Sequence, residues 1–278
     1  MYTLEVKGLT KKYPTFTLEN VEFSVDKGNI TGLIGRNGAG KTTTLKGILN
    51  LINADGRIKY FGEDLFSCEG AIKQRIGHVN GGFEYYRLKQ LSAITKTVSS
   101  FYGNWSDELY KKYMSLFKLD ERKKVSELSE GMKVKYSITL ALSHNAEMLI
   151  MDEPTSGLDP LSREEFCDII LDLSKNQGKT VLFSTHITSD LMRIADDVIY
   201  ISGGKVLMQE KLETLLNKYH VINFATEDEA KTHKSIIGLK RVKSGFAALT
   251  EVQSDRTQKA SLDDLMIHFE VERGGTYS

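Results

Sequence analysis

Gly35-Arg36-Asn37-Gly38-Ala39-Gly40-Lys41-Thr42 follows the spacing G-x-x-x-x-G-K-[ST]. The chemistry available to these residue types at that spacing is phosphate binding. The glycines let the backbone curl until successive N–H groups point at one centre, and the helix that follows adds its positive N-terminal end. Lys41 would bring a point charge to the outer phosphates, and the Thr42 hydroxyl a ligand for Mg²⁺. A second group is Asp152-Glu153, which closes the apolar run Met148-Leu149-Ile150-Met151. A carboxylate at the tip of a buried strand suits the water shell of Mg²⁺, and its neighbour can polarise an attacking water. Alone, such a pair is an ordinary solvated strand end; the phosphate loop in the same chain turns the reading toward metal and water. Ser129 precedes a helical stretch that it can cap. That helix end, with Ser129 Oγ and the Gly131 N–H, is an anion site, and a plain capped helix is the competing reading. His186 follows Thr185 at a strand end, where a lone histidine is commonly structural. His78, His144, His220, His233 and His268 form no ligand spacing and are read as structural.

These groups need elements to hold them. An apolar strand at 29–35 enters the phosphate loop, and a helix leaves it with Leu45, Ile48, Leu49 and Ile52 on one face. Ahead of it, residues 4–25 read as short strands with Leu4, Val6, Val21, Phe23 and Val25 facing inward, and Asp26-Lys27-Gly28 as a turn. Residues 57–61 and 76–79 read as further short strands. The pattern from 88 to 146 is helical, with Phe101, Tyr102 and Trp105 in its core. Met148-Leu149-Ile150-Met151 and Val181-Leu182-Phe183 are apolar on both faces, which suits a parallel sheet covered by helices. Residues 198–208, centred on Ser202-Gly203-Gly204-Lys205, read as a β-hairpin. After about Leu212 a mixed, polar stretch leads to Ser261-Leu262-Asp263-Asp264, an N-cap pattern before a helix with Leu262, Leu265, Met266 and Phe269 on one side.

The chain has 278 residues, enough for two domains or for one with inserted subdomains. Hydrophobic residues are 40% and charged residues 27%, which excludes disordered and fibrous classes. Lys+Arg and Asp+Glu both number 37, and this zero balance argues against nucleic acid as the main partner. Cys68 and Cys167 make no metal-ligand spacing and fit a reduced, cytosolic setting. No run approaches the roughly 18 apolar residues of a membrane span. Met1-Tyr2-Thr3-Leu4-Glu5-Val6-Lys7 lacks a signal-peptide core. The expectation is a soluble chain, so that work at a membrane would need another chain to supply the span.

Leu128-Ser129-Glu130-Gly131-Met132 resembles the signature motif of the ATP-binding cassette (ABC) ATPases, usually Leu-Ser-Gly-Gly-Gln. Asp152-Glu153-Pro154-Thr155-Ser156-Gly157-Leu158-Asp159-Pro160 resembles that family's Walker B segment running into its D-loop. Thr185-His186 follows a strand as the family's switch histidine does, and Tyr13 sits where the family places an aromatic residue that stacks on adenine. The resemblance covers about residues 1–210, in the family's order. It implies an α/β fold: a P-loop NTPase core with a mostly parallel sheet, an N-terminal antiparallel β-subdomain and an inserted α-helical subdomain at about 85–146. These make up an ABC ATPase domain at 1–211, and a small α+β appendage follows at 212–278.

The resemblance also implies ATP and Mg²⁺. ATP would be held by Tyr13, Gly35, Arg36, Asn37, Gly38, Ala39, Gly40, Lys41, Thr42, Thr43 and Asp152, and Mg²⁺ by Thr42 and Asp152. Glu153 and His186 would be catalytic, with His186 at the γ-phosphate. Ser129, Glu130 and Gly131 would read the γ-phosphate held by the opposite subunit of a head-to-tail dimer. A separate transmembrane subunit would carry the substrate, with this chain on the cytoplasmic face of the cell membrane and no nucleic-acid partner. Segments at 101–105, 139–150 and 184–190 are similar to those of bacterial exporter ATPases, including the phenol-soluble-modulin exporter subgroup, which implies export. The alternative is a soluble ABC ATPase acting on ribosomes or DNA. Such members carry two cassettes or a long coiled coil, whereas this chain has one phosphate loop, one signature and no sustained heptad run between 35 and 128. Two departures stand out. Met132 cannot hydrogen-bond as glutamine does. The family's glutamine after a strand like 76–79 has no counterpart in Asn80-Gly81-Gly82-Phe83-Glu84, where Asn80 or Glu84 is the candidate substitute.

Overall fold

A computed structural model describes residues 1–80, 86–233 and 235–274. They form two compact units, Met1–Gln209 and Glu210–Ser278. The first unit begins with β1 (Tyr2–Lys12), β2 (Thr17–Asp26), β3 (Ile30–Ile34) and α1 (Lys41–Ile48). It continues through β4 (Asp55–Tyr60), β5 (Glu63–Asp64), α2 (Leu65–Gln74) and β6 (Ile76–Asn80). Three helices follow, α3 (Leu91–Ser99), α4 (Asp107–Leu116) and α5 (Glu130–Ser143). The unit closes with β7 (Met148–Asp152), α6 (Pro160–Lys175), β8 (Thr180–Thr185), α7 (Thr188–Ile194), β9 (Asp197–Ser202) and β10 (Lys205–Lys211).

Strands β2-β1-β4-β5 form an antiparallel sheet. The expected short strands at 4–25 are two long ones, because register shifts between Val6 and Leu9 and between Leu9 and Lys11 carry the pairing past the breaks in alternation: Leu4, Val6 and Leu9 on β1 and Leu18, Val21, Phe23 and Val25 on β2 are buried. The six-stranded sheet runs β10-β9-β3-β8-β7-β6, and its inner pairs are parallel. Every residue of β3, β8 and β9 is buried, as strands covered on both faces require. The main core gathers Leu4, Val6, Leu33, Ile48, Ile58, Ile150, Leu182 and Ile199 from both sheets and α1. Fully burying each such side chain contributes about 1.5–3 kcal/mol. Helix α1 stops at Ile48, before the apolar pattern does, because Asn50 takes a positive φ of 53° and turns the chain out of the helix.

Helices α3, α4 and α5 share a separate cluster of Leu91, Ile94, Tyr110, Met114, Val125, Leu128, Tyr136 and Leu140, with Trp105 packed against it. Tyr136 pins it by donating to the Leu91 carbonyl at 2.9 Å. Phe101, expected in this core, is 72% exposed, and Tyr102 stacks on His144 instead.

The second unit contains α8 (Leu212–Lys218), β11 (His220–Phe224), α9 (Glu227–Thr232), β12 (Ile236–Val242), β13 (Gly245–Thr250), β14 (Thr257–Lys259) and α10 (Leu262–Glu272). Its strands form an antiparallel sheet in the order β12-β13-β11-β14. Helix α10 starts at the expected cap: Ser261 and Asp264 make a reciprocal capping box. It also covers part of the edge strand β12. Glu272 accepts the Gly238 N–H, and His268 Nδ1 donates to the Gly238 carbonyl, both at 2.6 Å. Burial pushes the His268 pKa below its usual value, which keeps the ring a neutral donor.

Candidate active site

Strand order assembles the site. β8 lies between β3 and β7, and parallel register pairs Ile34 with Thr185 and Asp152 with Ser184. The loops after β3, β7 and β8 therefore leave side by side at the carboxyl edge of one sheet, where open α/β sheets bind ligands. They carry the phosphate loop, Asp152-Glu153 and His186. The backbone of Asn80 pairs with Asp152 at the same edge, and residues 81–85, with the candidate Glu84, lie outside the described residues.

The loop meets the demands read from its spacing. A Cβ on Gly35 would run into the Ile201 carbonyl oxygen of β9, so the chain can pass only as glycine. Gly40 precedes α1 with φ 113° and no side-chain cap, leaving the helix amides to an anion. Lys41 is 6% exposed. Its ammonium donates to the carbonyls of Gly35 at 2.8 Å and Arg36 at 3.3 Å, and lies 3.2 Å from Glu153 Oε1. Ala39 is buried, and its carbonyl accepts the Gly204 N–H at 3.0 Å, tying the loop to the turn after β9.

The Thr42 hydroxyl donates to Asp152 Oδ1 at 3.2 Å. Ser184 Oγ donates to the same oxygen at 2.6 Å and accepts the Glu153 N–H at 3.0 Å. Glu153 has φ 47°, rare for a residue with a side chain and worth about 1–3 kcal/mol of strain. In that conformation its carboxylate lies between Lys41 and His186 Nδ1, the latter 2.8 Å away. Among the described residues no group of three or more His, Cys, Asp or Glu could hold a metal. One carboxylate facing one hydroxyl, with phosphate oxygens completing the shell, is nevertheless the donor set Mg²⁺ favours, so Thr42 and Asp152 fit that ion.

A cavity of ≈ 590 Å³ opens on these groups, lined by Asn37, Gly38, Gly40, Lys41, Thr42, Thr43, Glu153 and His186, with Thr15, Phe16 and Ser156 completing the wall. That is within the usual size of a small-molecule site. Tyr13 is not in the wall: it is 40% exposed, with the Lys11 ammonium 5.6 Å from its ring centre. Ser184, Phe16 and Ser156 were not singled out in the sequence. A hydroxyl inside an apolar strand just before Thr185-His186 is the signal that could have found Ser184.

Residues 18–156 match the family model of the ABC transporter. The bacitracin transport ATP-binding protein BcrA of Bacillus licheniformis is 33% identical over 237 residues, 82% of this chain and 76% of that one. The lantibiotic transport ATP-binding protein SrtF of Streptococcus pyogenes is 33% identical over 226 residues, 77% of this chain and 96% of that one. A solved ATP binding subunit of an ABC transporter superposes with TM-score 0.68 at 29% identity, covering 77% of this chain and 91% of that chain. The chain belongs to the ABC transporter ATP-binding family. It is the nucleotide-binding subunit type of that family, with the P-loop NTPase core expected.

In this ABC subunit Ser129, Glu130 and Gly131, expected to be the signature, line none of the cavity. Ser129 caps α5, its Oγ accepting the Met132 N–H at 3.3 Å. Glu130 pairs with Lys133 at 2.6 Å. Met132, in the glutamine position, packs against the helical cluster, so that place serves the subdomain core. A Cβ on Gly131 would sit 3.0 Å from Ser162 Oγ, which brings the starts of α5 and α6 together. Asp159 caps α6, and the Ser162 hydroxyl holds its carboxyl below the usual range.

Proposed function

We propose that this subunit hydrolyses ATP with Mg²⁺ at a site completed by the signature region of a second subunit. The cycle drives export through a separate membrane subunit. The observation that carries this reading is the contact chain Lys41–Glu153–His186 at the mouth of the phosphate loop. The loop amides and Lys41 bind and orient the phosphates. Thr42 and Asp152 would hold Mg²⁺, which supplies charge neutralisation on the phosphates when bound. Glu153 accepts the proton of the attacking water, and His186 holds the Glu153 carboxylate in direction. Positioning and electrostatics carry most of the acceleration in such phosphoryl transfers.

The capped start of α5 lies outside the cavity wall, which supports a role toward the nucleotide of another subunit. Among the described residues no helix is long and apolar enough to cross a membrane, which supports a partner chain that supplies the span and a peripheral, cytoplasmic place for this one. The relatives that serve bacitracin transport and lantibiotic transport support a membrane-active peptide as the transported class. Zero net charge supports a role away from nucleic acid. Ser129→Arg tests the composite site. The dilute subunit should bind ATP as the wild type does, while ATP-driven dimerisation and hydrolysis are lost. Unaltered hydrolysis in that variant overturns the reading.

A further inference from the structure

The first turn of α5 departs from the family's motif at two places, Glu130 for glycine and Met132 for glutamine. Apolar packing absorbs Met132. Glu130 places a carboxylate, 43% exposed, at the helix end whose amides are to meet a phosphate. A first-turn carboxylate suits the helix, since it faces the positive end of the backbone dipole. It also competes with an incoming phosphate for that field and repels it directly. Asp159, at the adjoining start of α6 and held ionised by the Ser162 hydroxyl, adds negative charge nearby.

The counter-charge is built in. Lys133, one turn further along α5, has a side chain only 11% exposed and an ammonium 2.6 Å from Glu130 Oε1. Covering the stem while leaving the ammonium at the carboxylate fixes the cation in one place and strengthens the pair over one in open solvent. Lys135 does not share this task, because it pairs with Glu165 of α6.

We propose that Lys133 is a positioning residue for the composite site: by pairing with Glu130 it cancels the carboxylate in the signature turn and lets the end of α5 accept the phosphate bound by the other subunit. The proposal rests on the reading that α5 acts toward a second subunit. Lys133 touches no phosphate itself and acts through Glu130.

The test uses the full chain. ATP affinity is read by titrating the dilute subunit, and steady-state hydrolysis is read against protein concentration at about 0.05 M and about 0.5 M KCl. Lys133→Met should bind ATP within about twofold of wild type but hydrolyse at least about tenfold more slowly at low salt, with the defect shrinking at high salt as repulsion is screened. Lys133→Arg should stay active. Glu130→Gln combined with Lys133→Met should recover to within about threefold of wild type, because the uncompensated charge is gone. Glu130→Gln alone, which leaves the ammonium unopposed, should reach half-maximal hydrolysis at a protein concentration a few-fold lower. A Lys133→Met rate within about twofold of wild type overturns the proposal, as does a double variant no better than the single. Should Lys133→Met not fold, an unchanged concentration dependence in Glu130→Gln overturns it. Ser129→Arg is run alongside: if it hydrolyses normally the composite-site reading falls, and if it is dead while Lys133→Met is active only the role of Lys133 falls.

Discussion

Ser184 is the side chain that makes two carboxylates work as a pair. It donates to Asp152 Oδ1 at 2.6 Å and accepts the Glu153 N–H at 3.0 Å, so one buried hydroxyl aligns the Asp152 carboxylate and the backbone of Glu153, the acids proposed for metal and water. Ser184→Ala removes a hydrogen bond to a charged oxygen, worth about 1.5–3 kcal/mol, and strips the Glu153 amide of its acceptor. Hydrolysis should fall roughly ten- to hundredfold, with ATP affinity changed by less than about threefold, because the loop binds the phosphates. Steady-state rates and equilibrium titration read both, and a wild-type rate would show that the acids align without it. Ser184 left only a faint mark in the sequence, a hydroxyl in an apolar strand, because its role comes from register across strands, 32 residues from Asp152. Gly35 to Thr42 was legible because one contiguous turn supplies every group. Tyr13, assigned by resemblance alone, is 40% exposed, and Phe16, three residues on, lines the cavity.

At the level of elements, strands were readable where burial makes a run continuous. β7 and β8 were visible as apolar runs, and the hairpin of β9 and β10 through Gly203 and Gly204, both with positive φ. The strands of the second unit were not placed in the sequence, because they share no one period: on β11 Ile222 and Phe224 are buried and Asn223 is exposed, whereas on β13 Ala247, Ala248, Leu249 and Thr250 are buried in succession. That unit hangs on the seam between α10 and β12. Burial disfavours the charged ring of His268 there, so its folded pKa lies below the unfolded value of about 6.5. The unfolded state therefore binds the proton first. The stabilisation is fully present above pH 6.5 or so and is lost as pH falls through the folded pKa. Melting temperature should drop on acidification through this window, and the drop should be smaller in His268→Gln, whose amide can still donate to the Gly238 carbonyl. His144 is shifted in the same direction by burial, so the difference between wild type and variant is the quantity to measure. An identical pH profile in the two would remove His268 from the account.

Across the whole ATP-binding unit, the sheet order is the device that turns separate motifs into one site. Phosphate loop, acidic pair and histidine stand more than a hundred residues apart at the extremes, and parallel pairing of β3, β8 and β7 delivers them to one edge. The turn proposed as the signature lies on a helical layer with its own core and lines none of the cavity, and the proposed chemistry therefore calls on a second subunit. Glu153, poised between Lys41 and His186, is the group proposed to activate water. Glu153→Gln keeps the shape and removes the base. With Mg²⁺ and ATP, its steady-state hydrolysis should fall at least about a hundredfold while ATP affinity is retained and an ATP-bound dimer accumulates on light scattering. Hydrolysis by Glu153→Gln at the wild-type rate would contradict the account.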